Sequence, residues 1–189
     1  ISGAFRIYLA SILIGTQVSM LTCLAGFLII YSVYTLDRTL DSEEDSINRE
    51  ELSGSSKSIG LTITIVTFLL GSGIFAKEGI LVYALLPFVT GFLYSKGIKI
   101  GKCALRLKGG LGVKNIVVGI TWGLCTAGVA GIHCNSTLAF LTVLTLYGVK
   151  TFVNSILDDF KDIKGDTVAG IKTLPVCYGA LKTRDIHLF

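Results

Sequence analysis

The chain has 189 residues, 51% of them hydrophobic, with a mean hydropathy of +0.71 and a formal net charge of +4. These values exceed those of ordinary globular domains and point to a bilayer rather than to water as the solvent, with no nucleic-acid partner expected. Five scattered cysteines without a CxxC pair indicate neither a disulfide framework nor a zinc site.

The first uncharged apolar run covers residues 7–36. A single crossing needs about 20 apolar residues, so this run is too long for one. Gly15-Thr16-Gln17-Val18-Ser19 offers a turn inside it, which predicts a hairpin whose first helix has only about fourteen residues. Further runs follow at 59–76, 79–95, 116–130 and 136–157, the last broken only by Lys150. The expectation is an all-α, multi-helix transmembrane bundle of about six helices in three hairpins, anchored among membrane lipids. Its 22 glycines suit close helix packing in a bilayer. The chain starts with Ile rather than Met, and 173–189 reads as the beginning of another segment. A single domain over 1–189, incomplete at both ends, is therefore expected. No charged n-region with a cleavage site marks a signal peptide.

Connections after the second, fourth and sixth helices share one side of the membrane. The first, 37–57, is acidic. The second, 96–114, carries Lys96, Lys99, Lys102, Arg106, Lys108 and Lys114 with no acid, and the third, 158–172, mixes acids with Lys161, Lys164 and Lys172. Twelve Lys and Arg lie on this side against one, Lys77, in the opposite turns. The positive-inside rule makes that side cytoplasmic.

Two carboxylate clusters stand out, Asp37-x3-Asp41-x3-Asp45 and Asp158/Asp159…Asp162-x3-Asp166. Such spacing puts carboxylates on one helix face, where they repel unless a cation joins them. Mg2+ takes oxygen ligands and shares itself readily with phosphate. Two clusters flanking a lysine-rich segment thus suit a metal-bridged diphosphate at a membrane surface. A merely solvated acidic loop explains one cluster better than it explains two. Asn154, one turn before Asp158, is a candidate neutral ligand. Arg38 can contact a phosphate or pair with a neighbouring aspartate, and Lys150 is a candidate for the same cavity as Asn154. Tyr31, Tyr34 and Tyr147 read as interfacial anchors or as an aromatic wall, and Trp122 as packing or lipid contact.

The run Asp37-Arg38-Thr39-Leu40-Asp41-Ser42-Glu43-Glu44-Asp45 resembles the first aspartate-rich motif of the UbiA family of intramembrane prenyltransferases. Asp159-Phe160-Lys161-Asp162-Ile163-Lys164-Gly165-Asp166, followed by Gly170-Ile171-Lys172-Thr173-Leu174-Pro175, resembles the second. Between them, Leu93-Tyr94-Ser95 and Gly112-Val113-Lys114-Asn115 are similar to the family's middle region. The first motif departs from the family's Asn-Asp-x-x-Asp, with Leu36-Asp37 in place of Asn-Asp and a gap one residue longer. The Tyr-x-x-x-Lys pattern is not strictly met either, since Tyr94 is followed by Lys96 and Lys99.

This resemblance implies a nine-helix fold and Mg2+-dependent transfer of a prenyl group from a polyprenyl diphosphate to a lipophilic acceptor, an aromatic ring or a lipid alcohol. It implies Mg2+ on Asp37, Asp41 and Asp45 and on Asp158 or Asp159, Asp162 and Asp166. Diphosphate contacts would come from Arg38, Tyr94, Lys96, Lys99, Arg106, Lys108 and Asn154. A cation transporter would instead place acids near the midplane, and a non-catalytic membrane subunit would carry the charges as surface. A soluble isoprenyl diphosphate synthase would not need membrane-length apolar runs.

Overall fold

The computed structural model describes residues 2–40, 57–95, 98–100, 103–105, 112–168, 170 and 173–179. Among the described residues, six principal helices appear in the expected order: α1 (Ser2–Ile14), α2 (Met20–Leu40), α3 (Lys57–Lys77), α4 (Val82–Ser95), α5 (Val113–Ala130) and α6 (Thr137–Lys161). Two short helices follow, α7 (Ile163–Val168) and α8 (Leu174–Tyr178). The predicted hairpin turn is present. Gly15 ends α1 at φ 78°, a left-handed conformation open to glycine, and Ser19 accepts from the Thr22 backbone N–H at 3.0 Å to cap α2.

Helices α2, α3, α5 and α6 are long and apolar enough to cross a membrane, whereas α1 and α4 are shorter. Large apolar side chains such as Leu69, Leu70, Leu141, Leu146 and Val149 are exposed on the outside, the surface a bilayer would cover. Several threonine hydroxyls within the spans bond back to their own helices, Thr67 to Ile63 O at 2.7 Å and Thr126 to Trp122 O at 2.7 Å, so these two are satisfied without water.

Two expectations are revised. The basic connection between α4 and α5, read as a loop, contains a two-stranded antiparallel ribbon of β1 (Ile98–Ile100) and β2 (Cys103–Leu105), with Lys99 opposite Ala104. The acids at 158 and 159 are not in a loop. Helix α6 runs on to Lys161 and Asp162 forms its C-terminal cap, because the N–H of Asp162 still bonds to Asp158 O.

Helices α5 and α6 approach closely, where glycines remove the side chains that would hold the backbones apart. A Cβ on Gly119 would lie 2.9 Å from Gly148 O, and one on Gly123 would lie 2.8 Å from Leu144 O and 3.0 Å from Gly148 Cα. Small residues permit this approach where lipid offers no hydrophobic drive for helix association. Likewise Gly71 lets α3 meet Ala25 and Ile29 of α2. At the end of the bundle opposite the α2 and α6 C-termini, Glu78 accepts from the Thr22 hydroxyl at 2.6 Å, placing a carboxylate at the positive end of α2.

Gly123→Ala should lower stability in detergent by about 1–3 kcal/mol, since backbone must move to admit the methyl group. Gly73→Ala, in α3 with nothing within 4 Å of the added carbon, should be neutral or stabilising by up to about 1 kcal/mol. Thermal unfolding of the two variants tests this difference.

Candidate active site

A cavity of about 400 Å3 opens among α1, α2, α4, α5 and α6. Its lining divides by chemistry. Asp37 and Arg38 come from the last turn of α2, Lys114 from the first turn of α5, and Asn154, Asp158 and Asp162 from the end of α6. Val33, Tyr34, Pro87, Val117, Val118 and Trp122 supply the apolar remainder. Acids of two motifs more than a hundred residues apart in sequence therefore meet in one space. They meet because each motif ends a helix whose C-terminus reaches the same end of the bundle.

Asp158 is exposed and pairs with Lys161 at 2.8 Å one turn on. Asp159 is turned the other way. Its side chain is only 2% exposed, lies 2.5 Å from the Lys114 ammonium and accepts from Asn115 Nδ2 at 3.0 Å. Asp159 is expected beside Asp158 among the metal ligands, but its carboxylate is engaged by Lys114 and Asn115 and it does not line the cavity, whereas Asp158 does. Asp166 is buried in α7 and does not line the cavity. Lys150 is exposed and also absent from the lining, which corrects its candidacy.

Tyr94 lies in the last turn of α4 and Lys99 in β1. Asp41, Asp45, Lys96, Arg106 and Lys108 lie outside the described residues. Among the described residues, no three His, Cys, Asp or Glu side chains close into a metal-holding group. The donors facing the cavity are nonetheless all hard oxygens (the carboxylates of Asp37, Asp158 and Asp162 and the amide of Asn154), the set that Mg2+ prefers. Their chemistry fits that ion.

Arg6 was not anticipated. Its guanidinium donates to Thr151 Oγ1 at 2.8 Å and lies 5.5 Å from the centre of the Tyr147 ring, which fixes it in the cavity wall. The signal was present, because Arg6 is the only charge before Asp37 and a lone charge in an apolar helix faces a partner or a cavity. Trp122 is buried, 6% exposed, rather than in contact with lipid. It stacks on Tyr34 with centroids 6.0 Å apart and planes inclined by 9°.

Removing the acid from the Lys114–Asp159 pair takes the opposing charge from a largely buried ammonium. Asp159→Asn should therefore destabilise the chain by about 3 kcal/mol. Adding Lys114→Met should restore at least about 1 kcal/mol of that loss. A double-mutant cycle on thermal or denaturant unfolding in detergent checks both figures.

No curated protein and no solved structure matches the chain. The family model of the UbiA prenyltransferase family matches residues 4–189, nearly the whole sequence. With its helical bundle and four membrane-length helices, the chain is an integral membrane protein and belongs to the UbiA prenyltransferase family.

Proposed function

We propose that the chain transfers a prenyl group from a polyprenyl diphosphate to a lipophilic acceptor, an aromatic ring or a lipid alcohol, in a Mg2+-dependent reaction. The observation that carries this reading is the single cavity in which acids of both motifs meet Lys114 and Arg38 beside an apolar wall. A polyprenyl diphosphate has the same division, with a polyanionic head on a hydrocarbon tail. The twelve-to-one bias of Lys and Arg toward this end of the bundle supports a cytoplasmic opening.

Asp37, Asp158, Asp162 and Asn154 are the residues that would hold Mg2+, with Asp41 and Asp45 as the remaining carboxylates of the first motif. When bound, the ion supplies charge neutralisation and Lewis acidity at the diphosphate oxygens. Lys114 and Arg38 add fixed positive charge where negative charge grows on the departing diphosphate, and such preorganised charge is often the largest catalytic contribution. Asp159 works through Lys114, holding its ammonium at the rim. Val33, Val117, Val118 and Pro87 exclude water from the carbon that becomes electrophilic. The acids sit within the last turns of their helices or just beyond them, which speaks against ion transport through the midplane.

The test is binding of radiolabelled geranylgeranyl diphosphate to the full chain in detergent. Affinity should require Mg2+, vanish with EDTA, and fall by more than about tenfold, or about 1.4 kcal/mol, in Asp158→Ala and in Asp162→Ala. Lys150→Ala should bind as the parent does. Binding indifferent to EDTA and to both aspartate substitutions would overturn the mechanism.

A further inference from the structure

The cavity is graded along its depth. On α2, Tyr34 lies one residue short of a full turn inward from Asp37. On α5, Trp122 lies two turns inward from Lys114, about 12 Å at 1.5 Å per residue. Side chains on a helix lean toward its N-terminus. Tyr34 therefore leans inward from its position and Trp122 leans outward from its own, since α2 and α5 run in opposite directions. The two rings meet between those levels, stacked 6.0 Å apart, and both line the cavity. The aromatic pair thus stands about one helical turn behind the acidic mouth, a distance comparable with one five-carbon isoprene unit.

We propose that Tyr34 and Trp122 form the wall of the subsite for the first isoprene unit, the cavity-lining side of the stacked pair set against the allylic double bond. This rests on the prenyltransferase reading above and extends it to a substrate contact. As the allylic C1–O bond breaks, its electron pair leaves on the diphosphate oxygen and positive charge spreads over C1 and C3. An aromatic face attracts that charge, and a desolvated site strengthens the attraction. The acceptor then donates an electron pair to C1 and loses a proton to solvent. Trp122 and Tyr34 stay unchanged throughout and contribute only electrostatics and shape. A saturated aliphatic wall would hold the chain but would not discriminate the cation from the neutral substrate.

Trp122 is the single tryptophan of the chain, so its fluorescence reports this subsite without labelling. Geranylgeranyl diphosphate with Mg2+ should shift that fluorescence, and inorganic diphosphate with Mg2+ should leave it unchanged. A second probe, a long-chain prenyl ammonium added with inorganic diphosphate, mimics the separated cation and anion. Trp122→Leu should weaken the ammonium probe by about thirtyfold, equivalent to about 2 kcal/mol, while radiolabelled geranylgeranyl diphosphate loses less than about threefold. Trp122→Phe should restore most of the difference, and Tyr34→Leu gives a second reading should Trp122→Leu fail to fold. The proposal is overturned if geranylgeranyl diphosphate binds without a fluorescence change of its own, or if Leu and Phe at 122 weaken both probes equally. Absence of any Mg2+-dependent binding by the unmodified chain would instead sink the prenyltransferase reading, and this subsite with it.

Discussion

Contact between the backbones of α5 and α6 governs the rest of the molecule. In lipid, helices gain little from hiding apolar surface, so their association depends on how closely they can approach. Gly119, Gly123 and Gly148 bring the two backbones within van der Waals range. That approach fixes the relative height of the two helices. It sets the start of α5 beside the end of α6, where Lys114 and Asn115 reach Asp159. The pair costs desolvation, as every buried ion pair does, but it is affordable only in one register. Asp158 and Asp162 line the cavity, while Asp159 is engaged by Lys114 and Asn115.

Much of this was legible in the sequence. The helix boundaries followed from uncharged runs and from Gly15, and the family from two aspartate motifs that the structure brings to one end of the bundle. What the sequence could not show was direction around the helix axis. Adjacent aspartates at 158 and 159 look equivalent in a string of letters, yet only Asp158 lines the cavity. Which one does so is decided by Lys114, forty-five positions earlier. Trp122 carried the opposite problem: an apolar aromatic in an apolar span has no linear feature that separates lipid contact from a cavity wall, and only the neighbouring Tyr34 on another helix decides it. Arg6 was readable in principle as the lone charge of its helix, but its partners Thr151 and Tyr147 lie at the other end of the described chain.

The cavity's composition follows from helix ends as much as from side-chain choice. C-termini of α2 and α6 present the negative pole of the helix. Placing carboxylates there is electrostatically unfavourable in the absence of cations. Lys161 beside Asp158 and Lys114 beside Asp159 offset part of that repulsion. Pro87, inside α4 and lining the same cavity, lacks a backbone N–H, and Thr90 donates its hydroxyl to Leu86 O at 2.9 Å.

The threonine hydroxyls that bond back to their own helices have a consequence for biogenesis. Because Thr67, Thr90, Thr126 and Thr142 are satisfied by carbonyls within the same segment, these four hydroxyls can enter lipid already bonded, before the helices assemble. Among the described residues, polar links between helices include Thr22 with Glu78 at one end of the bundle and Lys114 with Asp159 at the other, with Arg6 and Thr151 between them. The links at the helix ends then secure the register that the glycine contact between α5 and α6 sets within the hydrocarbon.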